Sequence, residues 1–404
     1  MRVLKTVQSY FPFQDRGGPV SKVRALALGL AKRGHAVTVL TADLGLRDQI
    51  APDGPYRPCL WGSSCRLDGV EVVYLSTFTQ YRAVTLNPAV IGFCRASLNR
   101  FDVVHSYGLY DLLGPAVSYF CRRRGIPYVV EPMGMYRPIV RSLKLKRLYH
   151  RTIGRPFVDE ARFLIATSEQ ERRELLESGV HSSRVVIRRN GIERPVTLPP
   201  PGQFRRKWKI DTGAKVVLFL GRIVSKKSPD LLLEAFARWR TRNQAAQDSI
   251  LVFAGPDERD GFADALKARA AQLGLARSVL FVGPLYDAGK WEVYRDADVF
   301  VLPSQNENFG NTAAESAAAG TPVIVTDRCG VAPFVGRAGL VVPHDSVAIE
   351  KALDRLLLDP QLYEECRRGC SEMADALSWQ EPIEENERLY QLCLSSPFLE
   401  EAVA

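Results

Sequence analysis

The sequence predicts an α/β protein made of two doubly wound, parallel-sheet domains, and three observations carry that prediction. Short apolar runs recur along the whole chain and alternate with longer stretches of helical period, the pattern of strands covered on both faces by crossover helices. A polar, Pro-rich break, ERPVTLPPPGQ (193–203), interrupts this alternation near the middle. At 404 residues the chain also exceeds what one hydrophobic core ordinarily supports, and about 100 to 200 residues per domain gives two.

In chain order, residues 2–7, the Gly17-Gly18 loop, a helical stretch ending at Arg33 and AVTVLT (36–41) read as strand, loop, helix, strand. This is a βαβ unit whose glycines let the backbone come close to a ligand. Residues 42–69, rich in Pro and Gly, read as a long loop. VEVVYL (70–75), DVVHS (102–106), IPYVVE (126–131) and FLIATS (163–168) continue the strands of the first domain. Beyond the break, VVLFLG (216–221), SILVFAG (249–255), SVLFVG (278–283), DVFVLP (298–303) and PVIVTD (322–327) read as a second set of strands. Several end in Gly or Pro, where loops at strand carboxyl ends build ligand sites. Helices are expected over 228–241, 260–273 and 347–358, and a final one after Trp379, in EPIEENERLYQLCL. The resulting division is 1–195, 196–378 and a terminal helix within 379–404.

Composition is that of an ordinary globular protein, with 46% hydrophobic and 25% charged residues. No stretch approaches the roughly 18 to 20 apolar residues that span a bilayer. The start, MRVLKTVQSYFPF, lacks the apolar core and cleavage site of a signal peptide, so the expected location is cytoplasmic. Eight scattered cysteines with no CxxC pair imply reduced thiols. Charge is divided unevenly: residues 1–195 carry 30 Lys and Arg against 16 Asp and Glu, although the whole chain is only +9. The basic character concentrates in RPIVRSLKLKRLYHRTIGR (137–155), seven cations without an acid. As a helix it would set Ile139, Leu143 and Leu148 near one face, either as an anchor for an anionic membrane or as a solvated cover of the domain core. No nucleic-acid recognition motif accompanies it, and no nucleic-acid partner is expected.

The most informative stretch is NENFGNTAAESAAAGTPVIVTD (306–327). Asn308, Phe309, Gly310, Asn311 and Thr312 form a turn that opens an Ala-rich helix, so backbone N–H groups at the helix start can face a diphosphate. Glu315, about one turn inside, can accept from the hydroxyl pair of a ribose, and Glu307, before the turn, can bond sugar hydroxyls. A glutamate in a first helical turn also stabilises the helix by about 0.3 to 1 kcal/mol with no ligand, which accounts for either residue singly but not for the pair, the Phe-Gly turn and the Gly320-Thr321-Pro322 re-entry into a strand. Asp296-Ala297-Asp298 has the spelling of a metal-binding pair, but it runs from a helix end into a buried strand and is expected to cap and pair with protein groups.

The stretch resembles the signature of retaining glycosyltransferases of family 4, Glu, seven residues, Glu with Phe-Gly between, on the GT-B fold of two Rossmann-like domains facing a central cleft. RGGPVSKVRALALGLAKRGHAVTVLTA (16–42), IATSEQERRELLESGV (165–180), IRRNGIE (187–193), LFLGRIVSKKSPDLLLEAF (218–236) and ADVFVLPS (297–304) match in the same order. The resemblance implies hexose transfer from a UDP- or GDP-linked sugar to a saccharide or lipid-linked saccharide hydroxyl, with retention, in the synthesis of cell-surface polysaccharide or glycolipid. It implies no cofactor and no metal, because Arg222 and Lys227, with Lys226 as a substitute for the latter, stand where cations meet the leaving diphosphate. Glu307 joins them as a catalytic candidate, Gly17 and Gly18 serve the donor phosphate, Gly255 and Leu285 flank the base, and the terminal helix crosses back to the first domain. One departure stands out in EPMGMYRP (131–138): Met133 occupies a position where relatives often carry His or Arg, leaving His105 or Arg137 to serve the sugar side or the activity altered, and His105 reads equally as a buried histidine satisfied by backbone. The alternatives are a sugar-nucleotide 2-epimerase or phosphorylase on the same fold, and a degenerate binding subunit.

Overall fold

The computed structural model describes residues 1–13, 18–46, 56–81, 84–137, 143–258 and 260–395. The chain divides into two compact units, Met1–Gly191 joined by the segment from Trp379 onward, and Ile192–Ser378. In the first unit the strands are β1 (Arg2–Val7), β2 (Ala36–Ala42), β3 (Arg57–Cys59), β4 (Gly62–Leu67), β5 (Val70–Leu75), the separate hairpin β6 (Thr79–Tyr81) and β7 (Val84–Leu86), then β8 (Val103–Tyr107), β9 (Tyr128–Glu131), β10 (Phe163–Ala166) and β11 (Val185–Ile187). The main sheet runs β11-β10-β9-β8-β1-β2-β5-β4-β3. It is parallel from β11 to β5, with β4 and β3 antiparallel at one edge. The long loop expected over 42–69 is therefore partly sheet. GSSCRL pairs residue for residue with the apolar strand VEVVYL, although Ser and Arg give it little strand signal of its own, and residues 47–55 lie outside the described set.

Each face of this sheet is closed by helices whose apolar positions repeat at helical spacing. Helix Gly18–Lys32 buries Val20, Val23, Leu26, Ala27 and Leu30, the i, i+3, i+4, i+7 stripe of an amphipathic helix. The terminal helix Gln380–Ser395 packs beside it: Glu387 accepts from Arg33 at 2.6 Å and lies 2.9 Å from the His35 ring, while Leu389 and Tyr390 are buried against the sheet.

The second unit is a parallel sheet, β14-β13-β12-β15-β16-β17, of β12 (Val216–Leu220), β13 (Ile250–Ala254), β14 (Val279–Gly283), β15 (Val299–Leu302), β16 (Val323–Thr326) and β17 (Gly339–Val342). Two apolar layers sandwich it, one including Phe300, Phe309 and the Ala-rich helix, the other Phe236, Trp239 and Leu353. Asp345 and Asp359 start helices Ser346–Leu358 and Pro360–Ala376 by accepting from Ala348 N and from Gln361 and Leu362 N, as N-cap carboxylates do. Asp296 and Asp298 act as expected in kind, although their partners are distant in sequence. Asp296 accepts from the backbone N of Gly202 and Arg205 at the start of helix Gln203–Trp208, and Asp298 pairs with Arg205 at 2.8 Å and Lys215 at 3.3 Å.

The chain order builds each sheet outward from its middle. In the first unit β1, β2 and β5 step one way before β8 returns to the other side of β1. In the second, β12, β13 and β14 step one way before β15 returns beside β12. Ligands of open α/β sheets bind outside the carboxyl ends of the strands at such reversals.

Candidate active site

At the reversal in the second unit, the segments leaving β12 and β15 meet. Gly221, Arg222 and a single helical turn, Ser225–Lys227, follow β12, and Gln305 N donates to Lys226 O at 3.0 Å, tying the two loops together. Gly255, just past β13, sits so close to this loop that a Cβ there would lie 1.9 Å from the Gly221 carbonyl oxygen. Only glycine fits, with its φ of 143°. Leu285, half-buried beyond β14, packs against the apolar layer of the Ala-rich helix.

After β15 the chain is held extended: Glu307 N donates to Arg328 O and Gly330 N to Glu307 O, both at 3.0 Å. This places the Glu307 carboxylate on the Lys227 ammonium, with Ser304 Oγ 3.4 Å away. Burial alone would raise the Glu307 carboxyl, but Lys227, with Lys226 and Arg222 behind it, holds it below the usual carboxylate range. Arg222 itself is largely exposed and pairs with Glu258 at 2.6 Å.

Gly310 then turns the chain into helix Asn311–Ala318 at φ 108°, packed so that a Cβ would come 2.9 Å from Leu302 and 3.0 Å from Val331. Gly310, as the N-cap residue, brings no side chain to the helix start, and Thr312 Oγ1 is buried without a hydrogen-bond partner among the described residues. Phe309, predicted as a donor-side residue, is only 2% exposed and packs against Phe334. Its ring anchors the turn from inside the core, so any donor contact falls to its backbone. Asn308 and Asn311 are half-buried beside it. Glu315, one turn into the helix, is met by two donors that the sequence reading passed over: Lys290 Nζ at 2.9 Å from Oε1 and Tyr294 Oη at 3.0 Å from Oε2. Both come from helix Asp287–Asp296, four residues apart and therefore on one face. Nothing in the sequence shows that this helix lies against the one carrying Glu315.

The first unit distributes its candidates differently. Gly17 lies outside the described residues, and Gly18 is exposed at the start of its helix. His105 has no exposed surface. Its Nδ1 lies 2.6 Å from Tyr390 Oη and its Nε2 3.6 Å from Glu131, and burial pushes its pKa down to about 3. The ring is thus a neutral element of the domain interior, the buried one of the two readings its sequence allows. Arg137 pairs with Glu177 at 2.8 Å on the surface, so it too is engaged elsewhere. Met133 takes a left-handed φ of 56°, a conformation uncommon for a side-chain-bearing residue and frequent where function constrains the backbone. Around His105 lies a buried ionic cluster that no motif announces: Glu131, at the end of β9, accepts from Lys22 and Arg188, and Lys5 donates to Tyr107 Oη at 2.7 Å and Tyr390 Oη at 3.1 Å.

Among the described residues no three His, Cys, Asp or Glu come together as a metal site would require, and no helix is long and apolar enough to cross a membrane.

A family model described as glycosyl transferases group 1 matches residues 202–372, and one described as a glycosyl transferase 4-like domain matches residues 17–191. The chain is similar to the D-inositol 3-phosphate glycosyltransferase of Thermomonospora curvata, 33% identical over 92% of this chain and 89% of that protein. That of Acidothermus cellulolyticus is 30% identical, over 92% and 84%. Among solved structures it is similar to Anabaena HepE in complex with UDP and glucose, with a TM-score of 0.74 at 16% identity, covering 98% of this chain and all of that one.

Proposed function

The chain belongs to the glycosyl transferases group 1 family and carries its GT-B fold, and on that premise we propose that it moves a hexose from a nucleoside diphosphate sugar to an acceptor hydroxyl, with retention and without a metal. The observation that carries this reading is the pair Glu307 and Glu315 astride the start of helix Asn311–Ala318, at the reversal of the second sheet, with Lys227 already on Glu307. The diphosphate lies against the helix start, where the N–H groups and the dipole favour an anion. Glu315 accepts from the ribose and Glu307 from the sugar. Lys227 has three donors, enough to keep Glu307 and also meet the leaving diphosphate, with Arg222 and Lys226 adding positive charge. The C–O bond to the phosphate breaks as the acceptor oxygen attacks from the same face, and the departing phosphate oxygen takes the acceptor's proton.

The acceptor is a saccharide or lipid-linked saccharide, and the relatives' printed name adds an inositol phosphate to those worth assaying. Incubating the protein with UDP- and GDP-sugars, with and without these acceptors and with EDTA, tests the whole reading through nucleotide release. Release that requires no acceptor, or that EDTA abolishes, overturns it. Within the same assay Glu315→Ala is expected to raise the donor KM by at least about tenfold, since a charge-assisted hydrogen bond is worth about 1.5 to 3 kcal/mol, while turnover at saturating donor changes little. An unchanged KM removes Glu315 from the ribose.

Membrane docking belongs to the same proposal. Helix Leu143–Tyr149 and the turn after it expose Leu145 (60%) and Leu148 (58%) among exposed Lys144, Arg147 and Arg151. Ile139, expected on this face, lies outside the described residues. At about 1 kcal/mol per cation near an anionic surface, replacing Lys144, Arg147 and Arg151 by glutamine should weaken binding to anionic vesicles on the order of 100-fold in co-sedimentation. Unchanged binding would remove the membrane from the scheme.

A further inference from the structure

We propose that Lys290 reads the nucleobase of the donor, favouring a base that presents only an acceptor beside the ribose, such as uracil, over guanine. The inference rests on the reading of Glu315 as the ribose carboxylate and adds to it the choice of base that the motif leaves open.

Each oxygen of Glu315 has one donor from the neighbouring helix, Lys290 Nζ at 2.9 Å and Tyr294 Oη at 3.0 Å. The two donors are not equivalent. Tyr294 is fully buried, and burial together with the adjacent carboxylate keeps its hydroxyl protonated, so it is a fixed strut spent on Glu315. The Lys290 side chain is 25% exposed and that of Glu315 18% exposed, so neither member of the pair is sealed from solvent. The ammonium also lies 5.2 Å from the centre of the Trp291 ring, which steadies it over an aromatic face.

An ammonium has three donors and no acceptor. One of the three is committed to Glu315, and the others address whatever enters beside the carboxylate. When a ribose donates its hydroxyl pair to Glu315, the sugar edge of its base comes next to those hydroxyls. On that edge a pyrimidine shows its 2-carbonyl and adenine its N3, both acceptors, whereas guanine adds the N2 amino group, a donor. The Lys290 ammonium can donate to the first two. Guanine keeps an N3 acceptor on that edge, but its N2 amino group sets a donor against the ammonium beside it, which leaves a polar group desolvated and unpaired.

The test is calorimetric titration of UDP, ADP and GDP into the wild-type protein and into Lys290→Met and Glu315→Ala, with circular dichroism confirming that each variant is folded. Lys290→Met keeps an unbranched side chain, one atom shorter, and removes the ammonium with its donors and its charge. The wild type should bind UDP at least about tenfold tighter than GDP, and Lys290→Met should bring that ratio to near one, chiefly by weakening UDP. A tenfold ratio corresponds to about 1.4 kcal/mol. If Lys290 only steadies Glu315, the methionine variant weakens UDP and GDP alike and the ratio stands, which overturns the proposal. A wild type that prefers GDP overturns it as well. Failure of the underlying reading looks different: Glu315→Ala would then leave the affinity for all three nucleotides unchanged.

Discussion

Lys227→Ala is expected to lower turnover at saturating donor by about 10² to 10³-fold, the cost of removing one preorganised charge from a developing anion, about 2.7 to 4 kcal/mol. The effect should appear in kcat more than in KM, because negative charge on the bridging phosphate oxygen grows only as the anomeric bond breaks. A second signature follows from the Lys227–Glu307 pair. Lys227 is the main cation opposing the burial of Glu307, so without it the carboxyl should titrate at higher pH and the residual activity should gain an acid limb shifted upward. A pH profile of kcat for wild type and variant checks both points. Wild-type turnover in Lys227→Ala would take the residue out of the mechanism. Arg222, exposed and paired with Glu258, has a screened charge, and its replacement should cost less than that of Lys227.

Glu131→Gln should be the most damaging single change to stability. Glu131 is wholly buried, as are Lys22 and Arg188 to within a few per cent, and Arg188 Nε and Nη1 have no partner among the described residues. Removing the one carboxylate that compensates both cations is expected to cost about 3 to 5 kcal/mol in urea or thermal unfolding of the first unit. Replacing all three at once, with Lys22→Met and Arg188→Met added, should recover much of the loss, because the uncompensated charges go too. No recovery in the triple variant would mean that the cluster contributes through shape and not charge.

The same cluster sets a pH dependence. Burial raises the Glu131 carboxyl, but Arg188 and Lys22 outweigh it and hold the group well below the usual carboxylate range. His105 is held down, to about 3, mainly by burial. Both folded pKa values are depressed, so the unfolded chain takes up protons that the folded one refuses. Stability should therefore be fully present above about pH 6.5 and fall as pH drops, first through His105 and then, below about pH 4.5, through Glu131 as well. The slope is about 1.4 kcal/mol per pH unit for each proton. His105→Gln should delay the onset to the lower of the two ranges.

What could be read in advance and what could not divide along physical lines. The strand runs VVLFLG and DVFVLP announced themselves because strands buried on both faces must be continuously apolar, and β12 and β15 lie where those runs stand. GSSCRL and the edge strand RPC did not, since the first is held by β5 and the second by GSSCRL itself, and not by a strand signal of their own side chains. At Phe309 the motif gave order and spacing but not the direction of the ring, which points inward while the backbone of the same turn stays at the helix start. His105 could be read as a cleft residue or a buried one for a related reason, since the residues that enclose it, Tyr390 and Glu131, come from 285 and 26 positions away in the chain.

By itself the sequence determined the two α/β units, the helix start at Gly310 and the identity of the two carboxylates beside it, because these depend on local periodicity, turn chemistry and spacing along one segment. Only the tertiary structure decided which cation meets which carboxylate: Lys227 on Glu307 across 80 residues, Lys290 and Tyr294 on Glu315, and Lys22 with Arg188 on Glu131. Those pairings arise where strands distant in the chain are laid side by side, and a charge acts over a few ångströms of space regardless of separation in sequence.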